Sequence, residues 1–219
     1  YTKNDVVIID KQYSHHANVV ARNMYRFKNE NGCITYQKGI CGDEGTVMFI
    51  VETPGSFPDD IERDIIQFGG LRVSMRWHER KFSISCNSDI IIDLQAFKSY
   101  MCIIRWSRNN YTISMDVYDY VHREDLPIYK LRPEMYWFDF EHPVCSIIQP
   151  YDDELNASYE LPCQIHGYPL QLTAVKYYNE CLDDDIAVRE SVKYTTGHEA
   201  CIFNDAARPI NSGHGYSVK

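Results

Sequence analysis

One short run carries the residue types and spacing for acid–base chemistry. In Tyr136-Trp137-Phe138-Asp139-Phe140-Glu141 an extended backbone would put Trp137, Asp139 and Glu141 on one face, because side chains alternate along a strand. Two carboxylates beside an indole ring are the equipment for general acid–base cleavage of a glycosidic bond. Nucleophilic chemistry is less well provided for, since no Gly-x-Ser-x-Gly elbow occurs. The acid clusters Asp152-Asp153-Glu154 and Asp183-Asp184-Asp185 bring oxygens that calcium could use, but neither has EF-hand spacing. They read as solvated loops. The histidines (His15, His16, His78, His122, His142, His166, His198 and His214) are scattered, with no pair at metal-ligand spacing. No metal, no cofactor and no catalytic residue are expected.

Three local resemblances bear on this reading. The run 136–141 resembles the catalytic strand of laminarinase-like jelly-roll glycosidases, E-x-D-x-E. Trp137 stands where the first Glu belongs, so one essential carboxylate is missing and an acidic solvent face is the expectation. Gly39-Ile40-Cys41-Gly42-Asp43-Glu44-Gly45 resembles the nucleophile loop of chymotrypsin-like cysteine proteases. Only His15 and His16 precede it, too close for the general base of that family, and a Gly-rich turn is expected. Leu161-Pro162-Cys163-Gln164-Ile165-His166-Gly167-Tyr168-Pro169 resembles the first-cysteine strand of an immunoglobulin constant domain. The core tryptophan would be replaced by Tyr177 or Tyr178, and Glu199 stands where a tyrosine corner would put Tyr. That resemblance implies a strand and no more.

Cysteine is the sharpest compositional signal. There are eight: Cys33, Cys41, Cys86, Cys102, Cys145, Cys163, Cys181 and Cys201. An even, well-spread set without close ligand pairs predicts a disulfide framework and a secreted or extracellular protein. Pairing in sequence order would close four loops, each worth about 2.5–3.3 kcal/mol in the chain-entropy model. Sequons at Asn110-Tyr111-Thr112 and Asn156-Ala157-Ser158 make Asn110 and Asn156 candidate glycosylation sites.

The chain has 219 residues and a formal net charge of -9. A reader of nucleic-acid backbones needs a basic surface, so nucleic acid is excluded as an expected partner. The single basic cluster, Arg72, Arg76, His78, Arg80 and Lys81, has the alternation of a strand's wet face. No apolar run is long enough to span a membrane.

Stepping from chemistry to the elements that would position it, β-branched and aromatic runs dominate, with turn residues between them. Strands are predicted over 6–9, 46–52, 71–77, 81–86, 90–94, 101–106, 111–118, 136–140, 144–148, 159–163, 170–178 and 186–194. In 111–118, Tyr111, Ile113, Met115 and Val117 share one face; Thr112, Ser114 and Asp116 share the other. One short helix is predicted near 57–68, N-capped by Ser56, with Ile61, Ile65 and Phe68 on one face and Gly69-Gly70 ending it. The expectation is an all-β, mostly antiparallel, disulfide-stabilised protein: a two-sheet β-sandwich or jelly roll forming a single domain over 1–219.

Seventeen tyrosines remain to be explained. Tyr offers rigid amphipathic area and a polar tip, which suits recognition. The densest stretch gives the candidate binding residues Tyr118, Tyr120, His122, Tyr129, Tyr136 and Trp137, around a loop over 121–131. The predicted function is therefore a binding module for another protein, with no enzymatic activity. A bias toward Ile, Tyr, Asn, Asp and Lys resembles that of proteins from AT-rich viruses or parasites, which suggests a decoy for a host protein. The alternatives are a jelly-roll lectin that stacks carbohydrate on Trp77, Trp106 or Trp137, and a self-assembling coat protein.

Overall fold

Apolar side chains at every second position give the central strands one oily face each, and the chain folds so that these faces meet. A computed structural model describes residues 6–9, 24–27, 34–36, 43–53, 62–68, 70–79, 81–87, 90–131, 136–151, 163–166, 171–178 and 180–189. Among these, two antiparallel sheets form. The larger contains β1 (Val6–Ile9), β2 (Met24–Phe27), β4 (Glu44–Glu52), β9 (Ser99–Ser107), β10 (Thr112–His122), β11 (Tyr136–Phe138), β12 (Cys145–Pro150) and β14 (Gln171–Tyr178). Its order is β1-β2-β14-β4-β9-β10-β11, with β12 also paired to β10. The smaller contains β3 (Ile34–Tyr36), β5 (Arg63–Phe68), β6 (Leu71–His78), β7 (Lys81–Cys86), β8 (Ile90–Leu94) and β13 (Cys163–Ile165), in the order β3-β13-β5-β6-β7-β8. The architecture is the expected two-sheet β-sandwich.

The core between the sheets follows from the alternation. Val47, Phe49 and Val51 of β4 and Cys102, Ile104 and Trp106 of β9 meet Val73 and Met75 of β6 and Phe82 and Ile84 of β7. Each such side chain contributes about 1.5–3 kcal/mol by leaving water. On β10, Ile113, Met115 and Val117 join this core as predicted, but Tyr111 does not. It lies in the turn before the strand at φ 54° and is 73% exposed. The hairpin turn at 108–111 leaves Asn110 exposed, whereas Asn156 lies outside the described residues. The basic residues Arg72, Arg76 and His78 are exposed along β6, opposite the buried Leu71, Val73 and Met75, which makes them a wet face as expected.

Two predicted elements take another form, and β2 and β3 were not predicted. The predicted helix near 57–68 is replaced over 63–68 by β5; residues 54–61 lie outside the described residues. The apolar spacing of Ile65 and Phe68 suits either element, and strand pairing decided the matter, since Phe68 lies opposite Leu71 where β5 meets β6. A register irregularity between Asp64 and Ile66 then lets both Ile65 and Ile66 be buried. The strand predicted over 186–194 is replaced over 186–189 by a helical turn at 184–189; residues 190–194 lie outside the described residues. It opens after Asp183, whose carbonyl accepts the Ala187 N–H at 2.8 Å, and its buried Ala187 faces the sheet.

The cysteines require a correction. Cys86, Cys102, Cys145 and Cys181 are free thiols; Cys33, Cys41 and Cys201 lie outside the described residues, and Cys163 begins β13. Of the pairs adjacent in sequence, Cys86 and Cys102 are both described, and neither is bonded to the other. Cys86 lies on β7 of the smaller sheet, and Cys102 lies on β9 of the larger. Each packs in the core as a small hydrophobe, which a chain of this size can fill without covalent staples. Burial pushes the Cys86 thiol up to about 12 and raises Cys102 further. Native protein at pH 8 is therefore expected to leave both unlabelled by a thiol reagent, and urea without reductant should expose them to it. Mass spectrometry of the labelled peptides checks this; a Cys86 or Cys102 that stays unlabelled in urea would mean it is oxidised.

Candidate functional site: a cleft on the outer face of the larger sheet

The outer face of the larger sheet is not simply wet. Met48 and Ile50 of β4, Met101 and Ile103 of β9, Tyr118 of β10 and Phe138 of β11 form a second apolar cluster there. Residues 180–189 lie across it as a strap that inserts Leu182 and Ala187. The strap is held by side chains that the alternation of β4 and β9 aims outward. Thr46 is fully buried; its hydroxyl donates to the Glu180 carbonyl at 2.8 Å and accepts from the Leu182 N–H at 3.0 Å. Arg105 donates to the Leu182 carbonyl at 3.1 Å and pairs with the Asp184 carboxylate.

Arg105 is the electrostatic centre. Its side chain is 15% exposed, and its second guanidinium nitrogen lies 2.8 Å from Asp116, whose side chain is 8% exposed. Asp116 also accepts a hydrogen bond from the Ser146 hydroxyl on β12. Burial by itself would lower the Arg105 pKa, but the hydrogen bond and charge of Asp184, with those of Asp116, raise it above the ordinary guanidinium value. Arg105 therefore keeps its charge at any working pH. Burial, and after it the Asp116 charge, pushes the Tyr118 phenol up to about 12, so it stays neutral.

Beside the strap opens a cleft of about 710 Å³. Its floor is Arg105, Ser114, Asp116 and Tyr118, which share one face of β9 and β10. Ser146 and Ile148 of β12 form one wall, and Asp184, Asp185, Val188 and Arg189 of the helical turn form another. The third comes from 139–143, where the chain leaves β11, rises off the sheet and rejoins β10 through the Val144 N–H to the Val117 carbonyl at 2.8 Å. This segment brings Phe140, Glu141 and Pro143 to the cleft, with Phe140 against Tyr118 at 5.0 Å between ring centres.

The expected acidic strand face is corrected here. β11 ends at Phe138, so Asp139 and Glu141 lie in the segment beyond it and not on a common strand with Trp137. Asp139 caps its own turn, accepting from the Glu141 and His142 amides at 3.2 Å. The candidate binding residues divide. Tyr118, Tyr120 and His122 share the outer face of β10; Tyr118 is buried at the cleft floor, and Tyr120 packs on Phe138 at 4.8 Å. Tyr136 pairs with His122 on β11, and Trp137, 45% exposed, pairs with Val121 and points to the other face. Tyr129 stands apart on a single helical turn, Ile128–Lys130, at 83% exposure. Of the proposed sugar platforms, Trp106 is fully buried, Trp77 packs on Phe82, and neither they nor Trp137 line the cleft.

Arg105, Asp116 and Ser146 were not singled out as site residues from sequence, and Asp184 was noted only within an acid cluster read as a solvated loop. One signal was present: Arg105 interrupts the apolar run Met101-Cys102-Ile103-Ile104-Arg105-Trp106, and a cation among core residues needs an acid.

The fold and the site together define a class, an antiparallel β-sandwich with a ligand-sized cleft on the outer face of its larger sheet. No protein-family model matches the sequence, and no curated protein matches it. Among solved structures, the chain is similar to a heptameric SAP-like pentraxin from Limulus polyphemus, at 11% identity and TM-score 0.45, over 89% of this chain and 84% of that one. It is similar to the botulinum neurotoxin serotype G binding domain at 10% identity and TM-score 0.43, over 86% of this chain and 44% of that one. A basic winged bean lectin solved with Tn-antigen gives 9% identity and TM-score 0.35, over 80% and 87%. Similarity this slight transfers no ligand. Among the described residues no helix is long and apolar enough to cross a membrane.

Proposed function

We propose that the protein is a non-catalytic recognition module that holds part of a partner protein in the outer-face cleft. The observation that carries this reading is the cleft's mixed lining. Phe140, Pro143, Ile148 and Val188 offer apolar surface, and Glu141 and Asp185 place carboxylates beside it. Ligand sites combine apolar walls with a few polar groups that fix orientation, and a volume of about 710 Å³ lies in their usual range. The carboxylates best placed for chemistry are already committed: Asp116 to Arg105 and Ser146, and Asp139 to the turn it caps. A protein ligand is favoured over a sugar because no tryptophan lines the cleft, whereas the apolar Ile148, 69% exposed, does.

The test is affinity capture with paired variants. Ile148→Arg blocks the cleft wall; Ile91→Arg makes the same change at a 60% exposed position on β8 of the other sheet. A partner is expected to be retained by the wild type and by Ile91→Arg, and to be at least tenfold depleted with Ile148→Arg. A partner retained equally by Ile148→Arg, or glycan binding lost in Ile148→Arg with no protein partner, overturns the reading.

A further inference from the structure

β12 has an open edge. It pairs with β10 on one side, and among the described residues no strand pairs with the other. Its register with β10 runs unbroken from Thr112↔Pro150 to Val117↔Cys145, and the Tyr151 N–H donates to the Tyr111 carbonyl at 2.8 Å. Ladder bonds alternate along an antiparallel strand. The odd residues of β12 therefore spend their amides on β10, and Ser146 and Ile148 direct N–H and C=O to the open edge. The same two residues turn their side chains into the cleft. Edges of this kind are usually blunted by charge, proline, a bulge or a cover, and among the described residues β12 has Pro150 at its far end alone. Here Val144, Ser146, Ile147 and Ile148 carry no charge, and Val144 and Ile148 are 46% and 69% exposed.

We propose that β12 receives an extended, cationic segment of the partner protein as an added strand, with its basic side chains over the cleft. This rests on the cleft being the recognition site. Backbone pairing supplies affinity in such strand addition, and side-chain pockets at alternate positions supply selectivity. Charge decides the occupant. The cleft lining has four acids (Asp116, Glu141, Asp184, Asp185) against Arg105 and Arg189, and the chain carries -9 overall. A second copy pairing edge to edge would set acid against acid. A strand whose every second residue is Lys or Arg brings those cations to Glu141 and Asp185 while its intervening residues cover the sheet edge.

The probe is an octapeptide of alternating Lys and Val, compared at 150 mM salt with the same peptide N-methylated on alternate residues and with its Glu-Val counterpart. Methylation leaves the charge unchanged and removes the donors of one edge. Fluorescence anisotropy should show the Lys-Val peptide binding at least tenfold more tightly than either control. Amide exchange at Ser146 and Ile148 should slow at least tenfold on binding, and Glu141→Gln/Asp185→Asn should weaken binding about tenfold. Equal binding of the methylated peptide, or unchanged exchange at Ser146 and Ile148, overturns strand addition; if Ile148→Arg still abolishes binding, the cleft reading survives. Equal binding of the Glu-Val peptide overturns the cationic choice. Self-association on sedimentation that Ile148→Arg abolishes would assign the edge to a second copy and overturn the proposal. Failure of the Lys-Val peptide to bind at 1 mM overturns it as well, and leaves the cleft to be judged by the capture experiment.

Discussion

An Arg105→Ala chain is expected to unfold about 3–5 kcal/mol more readily, the usual cost of removing one partner from a buried ion pair. The loss comes from what remains. Asp116, 5% exposed, would keep its charge with only the Ser146 hydroxyl to answer it, and the Leu182 carbonyl would lose its donor. Asp184 would lose its partner too, but it is 82% exposed and water replaces the loss at little cost. Urea denaturation reads the global effect. Hydrogen exchange at the Ala187 amide, bonded within the strap, reads whether the strap has loosened. Arg105→Met with Asp116→Leu should restore most of the stability, since an apolar pair of similar size leaves no charge stranded. A cost below about 1 kcal/mol for Arg105→Ala would mean that water screens the pair and that Thr46 and the apolar contacts hold the strap.

Gly45→Ala is expected to cost about 1–3 kcal/mol, although it adds one methyl group to a strand. Gly45 pairs with Trp106 across β4 and β9. A Cβ there would stand 2.3 Å from Cζ2 of the Trp106 ring, well inside contact distance. The ring is 0% exposed, so it has no free space to swing into. Glycine in a strand interior often marks such a close approach. The check is a double-mutant cycle: Gly45→Ala combined with Trp106→Leu should cost at least about 1 kcal/mol less than the two single changes summed. Additivity would mean that the ring tilts away without penalty and that Gly45 is dispensable.

Much of the fold was legible because the strands alternate. The buried faces of β6, β7 and β10 could be read directly from Leu71-Val73-Met75, Phe82-Ile84-Cys86 and Ile113-Met115-Val117, since burial on one side forces a period of two. The segments misread were those whose local pattern fits two elements. Ile65 and Phe68 fit a helix or a strand, and Gly69-Gly70 fits a helix stop or a hairpin loop. Of the cleft residues, only Tyr118 was named in advance as a binding residue; Asp184 and Asp185 were noted as an acid cluster. Glu141 was noticed as half of an acidic pair on a strand that ends before reaching it. Asp116 and Asp184 lie 11 and 79 residues along the chain from Arg105, and no local pattern announces that the three meet.

The sequence by itself determined the class of fold, the wet and oily faces of its central strands, and a net negative charge. Those are local properties, written in alternation and charge. Tertiary structure alone decided that Cys86 and Cys102 fill a core as free thiols, that Arg105 clips a strap to the sheet, and that β12, the strap and residues 139–143 enclose a cleft. Each depends on which strands become neighbours, and that is fixed by the burial of many distant side chains at once.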